Sequence, residues 1–159
     1  MYPDADALDR AAQMIATARR PVLLLGAECR GQAEAWWLRA LAESVPAPAF
    51  TTDQAGDVLP AGHPLALGTL ARGVIQEAVL GRADLVVAVG LEPTELPPAW
   101  PPQAPVAYLA RAPCAGRSFT PAVEVTGEIS DIVQELAPRL RGKTQANWDV
   151  AWLDRLKRQ

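Results

Sequence analysis

Between Ala7 and Arg19 the apolar residues Leu8, Ala11, Ala12, Ile15 and Ala16 return at helical spacing, which predicts a first helix with one buried face. Pro21 ends that pattern. Val22 to Leu25 follow as an uninterrupted apolar run closed by Gly26, the pattern of a short strand covered on both faces. Trp37, Leu38, Leu41, Ala42 and Val45 restore the helical period until Pro46 stops it, and Pro48 to Thr52 read as a second strand. From Asp53 to Gly68 the punctuation by Gly56, Pro60, Gly62 and Pro64 is too dense for a regular element. Gly73 opens a helix carrying Val74, Ile75, Ala78 and Val79 and closed by Gly81. Asp84 then leads into Leu85 to Gly90, the clearest strand in the chain.

Six prolines between Pro93 and Pro105 predict an extended surface loop. Val106 to Ala110 and Val123 to Val125 are two more strand candidates, and Gly127 starts a helix with Ile129, Ile132, Val133, Leu136 and Leu140 along one stripe. Glu128 stands in its first turn, where the helix dipole favours an acid. Helices alternating with apolar strands imply βαβ crossovers. The fold class is therefore a three-layer, Rossmann-like α/β domain, a mostly parallel sheet of five or six strands with helices on both faces. The pattern divides the chain at 142. Residues 1–142 form the domain, and 143–159 form a linker and amphipathic tail whose Trp148, Val150, Trp152, Leu153 and Leu156 need a partner surface.

A length of 159 residues suits one domain with a real core. The net charge of −3, with acids and bases scattered, leaves no basic face for a nucleic acid. The longest apolar run, Leu85 to Gly90, is far too short to span a membrane, and Tyr2-Pro3-Asp4 does not start a signal peptide, so the expected location is the cytoplasm. Cys29 and Cys114 have no metal-ligand spacing and read as reduced thiols. His63, the single histidine, lies between Gly62 and Pro64 in a turn and reads as structural. No GxSxG pattern is present, so neither a metal site nor a nucleophilic catalytic set can be assigned.

The order and spacing of several short marks carry a family resemblance. These are Ala18-Arg19-Arg20-Pro21-Val22, the strand ending at Gly26, Pro48 to Thr52, Leu59-Pro60 with His63-Pro64 and Leu67-Gly68, and Ala83 to Gly90. From Ala7 to Leu140 the chain resembles the central domain of the acetolactate-synthase-like thiamine-diphosphate enzymes, and Asn147-Trp148 to Leu156 is similar to the segment that leads toward their cofactor-binding domain. The resemblance implies a parent enzyme that makes or breaks carbon–carbon bonds beside a carbonyl. In that parent, flanking domains or subunits hold thiamine diphosphate and magnesium. It implies a non-catalytic, structural role for this piece, which shows no metal motif and no glutamate placed for the thiamine ring. A homo-oligomer is the further partner class, through the tryptophan-bearing tail, and the other reading of that tail is that it folds back on its own domain. The alternative is a free-standing nucleotide- or CoA-binding subunit, like the epsilon subunit of the acetyl-CoA decarbonylase/synthase complex. A sirtuin-like deacetylase would need a catalytic histidine beside an NAD loop and a four-cysteine zinc site, which the sequence lacks.

An open parallel sheet binds ligands at the carboxyl ends of its strands. The resemblance places a candidate FAD or ADP site on Gly26, Ala27, Glu28, Thr51, Thr52, Gly68, Arg72, Gly73, Gly90, Arg111 and Gly127. Several departures weaken it. Ala27 and Glu28 stand where flavin-binding relatives have glycines, Glu28 and Asp53 bring negative charge, and Ala110 and Ala112 replace an acidic pair. Arg72 and Arg111 are the cations nearest the strand ends. The expectation is a vestigial site, with no cofactor bound by the isolated domain.

Overall fold

The computed structural model describes residues 2–56, 58–70, 74–92, 95, 103–114 and 119–158. The helix predicted from its apolar stripe is α1 (Ala5–Thr17), opened by Asp4, whose carboxylate accepts the Ala7 amide at 2.9 Å. It is followed by β1 (Pro21–Leu25), α2 (Gln32–Ser44) and β2 (Ala49–Thr51). The chain continues through β3 (Ala66–Thr69), α3 (Val74–Arg82), β4 (Leu85–Val89), β5 (Val106–Ala110) and β6 (Val123–Thr126) to α4 (Ile129–Leu140) and α5 (Val150–Lys157).

All six strands run parallel in the order β3-β2-β1-β4-β5-β6. The α/β, Rossmann-like fold class read from the alternation of elements is therefore correct, with the higher of the two strand counts. Side chains alternate across the sheet as the pleat requires. Leu23 and Leu25 of β1, with Val87 and Val89 of β4, join α1, α2 and α4 in one core. Val22, Leu24, Val86 and Ala88 face the other way, into a second core with Phe50, Tyr108, Val79 of α3, and Leu153 and Leu156 of α5. Two covered faces explain why β1, β4 and β5 are apolar at every position, whereas β6 at the sheet edge alternates between buried and half-buried residues.

Two expectations need correction. The stretch from Asp53 to Gly68 is not wholly irregular, because Asp53–Ala55 form a 3-10 turn and β3 begins at Ala66. β3 is a four-residue edge strand broken at Gly68, whose φ of +87° no extended run would share, so too little of it repeats to leave a signal in the sequence. The helix that Gly81 was expected to close runs on to Arg82. The opening of that helix at Gly73, Trp100 and most of the Pro93 to Pro105 loop lie outside the described residues.

The tail finds its partner surface on its own domain. Gln145 and Asn147 donate their amides to Ala16 O and Arg19 O at 3.0 and 2.7 Å, and the Trp148 indole donates to Pro21 O at 2.8 Å. Trp148 and Trp152 stack with ring centroids 6.1 Å apart, and the Arg82 guanidinium lies 4.0 Å over the Trp152 ring. Leu153 is fully buried beneath them.

Candidate functional site

The sheet order fixes where a ligand would enter. The chain leaves β1 toward β2 on one side and, after β3, crosses back to place β4 on the other, so the loops after β1 and β4 diverge around a crevice. Gly26 and the 3-10 turn Ala27–Cys29 follow β1, and Gly90 follows β4. Thr52 follows β2, Arg111 follows β5 and Gly127 follows β6. Of the residues predicted for the site, Arg72 and Gly73 lie outside the described residues.

The remaining nine divide into two groups. Gly26, Ala27, Glu28, Gly90 and Arg111 are joined by contacts around the crevice between β1 and β4, Thr52 is linked to Ala27 through Glu95, and Gly127 lies beyond Arg111 at the end of β6. Thr51 and Gly68 instead line a separate cleft of about 380 Å³ beside β2 and β3. Lys157, from α5, borders that cleft and donates to the carbonyls of His63 and Pro64 at 3.4 and 3.2 Å.

At the crevice the backbone is packed against itself. A Cβ on Gly26 would stand 2.6 Å from Gly90 O and 2.8 Å from Leu91 Cα, so only glycine fits there. Gly90 has a φ of +67°, and a Cβ on it would stand 2.9 Å from both Cys29 Sγ and Glu28 Cβ. The freedom of these two glycines therefore serves the approach of the β1 and β4 loops to each other. In phosphate-binding loops the same freedom admits the ligand. Cys29 is buried against this junction, donates its thiol to Val89 O at 3.2 Å, and is pushed far above the ordinary thiol range by desolvation. It stays protonated and inert.

Several strand-end amides are paired within the chain, most of them in continuation of the sheet ladder. Gly26 N donates to Val89 O at 2.8 Å, Glu28 N to Gly90 O at 3.0 Å, Thr52 N to Leu25 O at 2.9 Å, Gly90 N to Leu109 O at 2.7 Å and Gly127 N to Ala110 O at 3.0 Å. Two carboxylates take others. Glu28 Oε1 accepts Arg111 N at 2.9 Å. Glu95 accepts Ala27 N at 2.9 and 3.1 Å through its two oxygens, and accepts Glu92 N and the Thr52 hydroxyl. Thr52 is the buried polar residue among those described, so this bond satisfies a hydroxyl that water does not reach.

Electrostatics follow the same arrangement. Glu28 has its pKa raised, chiefly by desolvation. The hydrogen bond and charge of Arg111 oppose this, and the nearby Glu92 and Glu95 reinforce it. The Arg111 guanidinium lies 3.2 Å from Glu128 Oε2, so the cation expected to meet a phosphate is matched by an acid of the chain itself. Glu128 is the N-cap residue of α4, but its carboxylate makes no hydrogen bond to the helix amides and turns to Arg111 instead. Among the described residues no three of His, Cys, Asp and Glu gather where they would hold a metal ion.

Glu95 is the residue that sequence reasoning missed. It lies in the proline-rich segment read as surface loop, and a lone acid there carries no periodic signal. The available hint is its position a few residues beyond a buried strand at the point where the strand order reverses.

Comparison with known proteins agrees with this architecture. Residues 8–136 match the family model for the central domain of thiamine pyrophosphate enzymes. The chain is 40% identical over 90 residues to sulfoacetaldehyde acetyltransferase of Rhodobacter capsulatus, a match covering 55% of this chain and 15% of that protein. It is 30% identical over 149 residues to the large subunit of acetolactate synthase isozyme 1 of Escherichia coli, covering 87% of this chain and 25% of that protein. A benzoylformate decarboxylase structure from Polynucleobacter necessarius shares the fold with a TM-score of 0.68 at 21% identity, over 92% of this chain and 29% of that one. The chain thus spans a quarter or less of the length of these curated relatives. The match over residues 8–136 and the six-stranded parallel sheet show that the chain belongs to the family of thiamine pyrophosphate enzyme central domains and is related to acetolactate synthase.

Proposed function

We propose that the chain serves as the non-catalytic central domain of a larger thiamine-diphosphate-dependent enzyme that makes or breaks carbon–carbon bonds. In this reading it is a structural spacer whose nucleotide site is vestigial. The observation that carries the reading is the occupation of the Ala27, Glu92 and Arg111 amides by the carboxylates of Glu95 and Glu28, which meets a diphosphate with negative charge at the crevice. Thiamine diphosphate and magnesium belong, on this reading, to flanking domains or subunits, with segment 143–159 continuing toward one of them. When bound there, the cofactor supplies the carbanion chemistry of the parent. The residues of this chain contribute position. The cytoplasm is the location that fits, and among the described residues no helix is long and apolar enough to cross a membrane.

The same occupation weighs against a free-standing nucleotide- or CoA-binding subunit, which would need open donors at the crevice. Calorimetric titration of the purified chain with ADP, with FAD and with thiamine diphosphate plus magnesium separates the two readings. The expected result is no saturable binding of any of them. Micromolar binding of ADP would establish the nucleotide-binding subunit instead, and micromolar binding of thiamine diphosphate would end the reading as a spacer.

A further inference from the structure

Glu95 has no part in catalysis on the reading above, yet its carboxylate is held by groups from three separate strand ends. Ala27 N comes from the turn after β1, the Thr52 hydroxyl from the loop after β2, and Glu92 N from the loop after β4. The first two are far from Glu95 in sequence, so the carboxylate ties together segments that the chain itself does not tie. It also occupies the space over Gly26, where an added Cβ would stand 2.7 Å from Glu95 Oε2. That space is the mouth of the crevice between β1 and β4.

We propose that Glu95 is an internal latch, a carboxylate that takes the anion position at the switch point of the sheet, holds the three loops in place of a ligand, and keeps external anions out. The proposal rests on the reading of the nucleotide site as unused and adds the residue that closes it. An ionised carboxylate satisfies two amides and a buried hydroxyl at once, which a water molecule in the same place does less well because it brings no charge. Removal of the side chain leaves the Thr52 hydroxyl and the Ala27 amide without their acceptor, in a space that a small anion can refill.

The test is thermal unfolding of the full chain as wild type, Glu95→Ala, Thr52→Val and the double variant, in sodium acetate or sodium chloride of matched ionic strength. Glu95→Ala is expected to lower Tm by about 4–8 °C, the effect of losing hydrogen bonds to a charged acceptor in a domain of this size. Acetate should return part of that loss to Glu95→Ala beyond what chloride returns, while wild type responds alike to both salts. Thr52→Val should cost less in the Glu95→Ala background than in wild type, because the two side chains act through one bond. A Glu95→Ala that melts with wild type, or one whose loss acetate does not repair beyond chloride, overturns the latch. If Glu95→Ala does not fold, Glu95→Gln takes its place. It keeps the length but turns one acceptor into a donor, so melting with wild type would overturn the proposal equally. Either failure leaves the wild-type titrations untouched, so the latch and the spacer reading fall separately.

Discussion

The two ends of the β1/β4 junction solve one problem with the same chemistry. At the amino end, Asp84 precedes β4 and its two carboxylate oxygens accept the amides of Arg20 and Arg19, each at 2.9 Å, just before β1. At the carboxyl end, Glu95 follows β4 and accepts the amide of Ala27, just after β1. In an open parallel sheet the amino end is ordinarily structural, and the carboxyl end is ordinarily left to ligands. Here a side chain bridges the central strands at both ends. The difference lies in what surrounds each bridge. Asp84 is exposed, with the tail passing close by through Asn147 N to Arg19 O and Trp148 Nε1 to Pro21 O. Glu95 reaches a buried hydroxyl among other acids. The amino end is reinforced by apolar packing of the tail, and the carboxyl end by polar pairing.

The strongest way to break this comparison is to end the chain after Gly142. That removes Leu153 and Leu156 from the second core, each worth about 2–3 kcal/mol of buried surface, together with the Trp148 and Trp152 rings. Against a typical net stability of about 5–15 kcal/mol the loss is decisive. The truncated chain is expected to lose near-ultraviolet circular dichroism and cooperative melting. A truncation that melts cooperatively within a few degrees of the full chain would show that the tail is an accessory to the amino end. Asp84→Ala is a smaller test of the same end. Two amides lose a charged acceptor but gain water, so the expected cost is about 1–2 kcal/mol by urea unfolding, less than for Glu95→Ala, whose bonds to Ala27 N and to the buried Thr52 hydroxyl are part-buried. If Asp84→Ala cost more than Glu95→Ala, the contrast between an exposed bridge and a part-buried one would be reversed.

These effects also mark what the sequence made legible. Leu85 to Val89 and Val22 to Leu25 declare themselves as strands because helices cover both faces, so every position is apolar. The stripe Ile129, Ile132, Val133, Leu136 and Leu140 declares α4 for the complementary reason, one buried face. β3 does not declare itself, since four residues broken by Gly68 show no period. The tail was legible as amphipathic, but periodicity cannot say whether its apolar face meets another chain or its own sheet, and Leu153 meets its own sheet. At the site, position at the carboxyl ends of predicted strands put Gly26, Ala27, Glu28, Thr52, Gly90 and Arg111 in loops at one end of the sheet, and the strand order brings them to the crevice. That position also suggested that Arg111 would be available to a ligand, whereas Glu128 pairs with it. Glu95 was illegible because its role depends on a loop folding back, and nothing in residue type or spacing records that.

The finest distinction at the carboxyl end is between its two carboxylates, and Glu28 sharpens it. Glu95 accepts two amides and a hydroxyl, whereas Glu28 accepts the Arg111 amide and is otherwise desolvated beside Glu92 and Glu95, which raises its pKa above the usual carboxylate value. A raised folded-state pKa means that the folded protein holds this proton more tightly than the unfolded chain does. Stability assigned to Glu28 is therefore greatest below the unfolded carboxylate pKa and falls as pH rises through the folded one. Glu28→Gln keeps an oxygen able to accept Arg111 N and removes the charge. The variant is expected to match or slightly exceed wild type in stability at pH 7, with the gap closing as pH is lowered below the carboxylate range. Because the side chain is half-buried and Arg111 lies beside it, solvent and the cation moderate the effect to a fraction of what a fully buried acid would show. Urea midpoints for both proteins across that pH range decide the matter. A Glu28→Gln variant clearly less stable than wild type at pH 7, with the deficit vanishing in acid, would mean that Glu28 is a second stabilising anion like Glu95 and that the carboxyl end is tied by two latches.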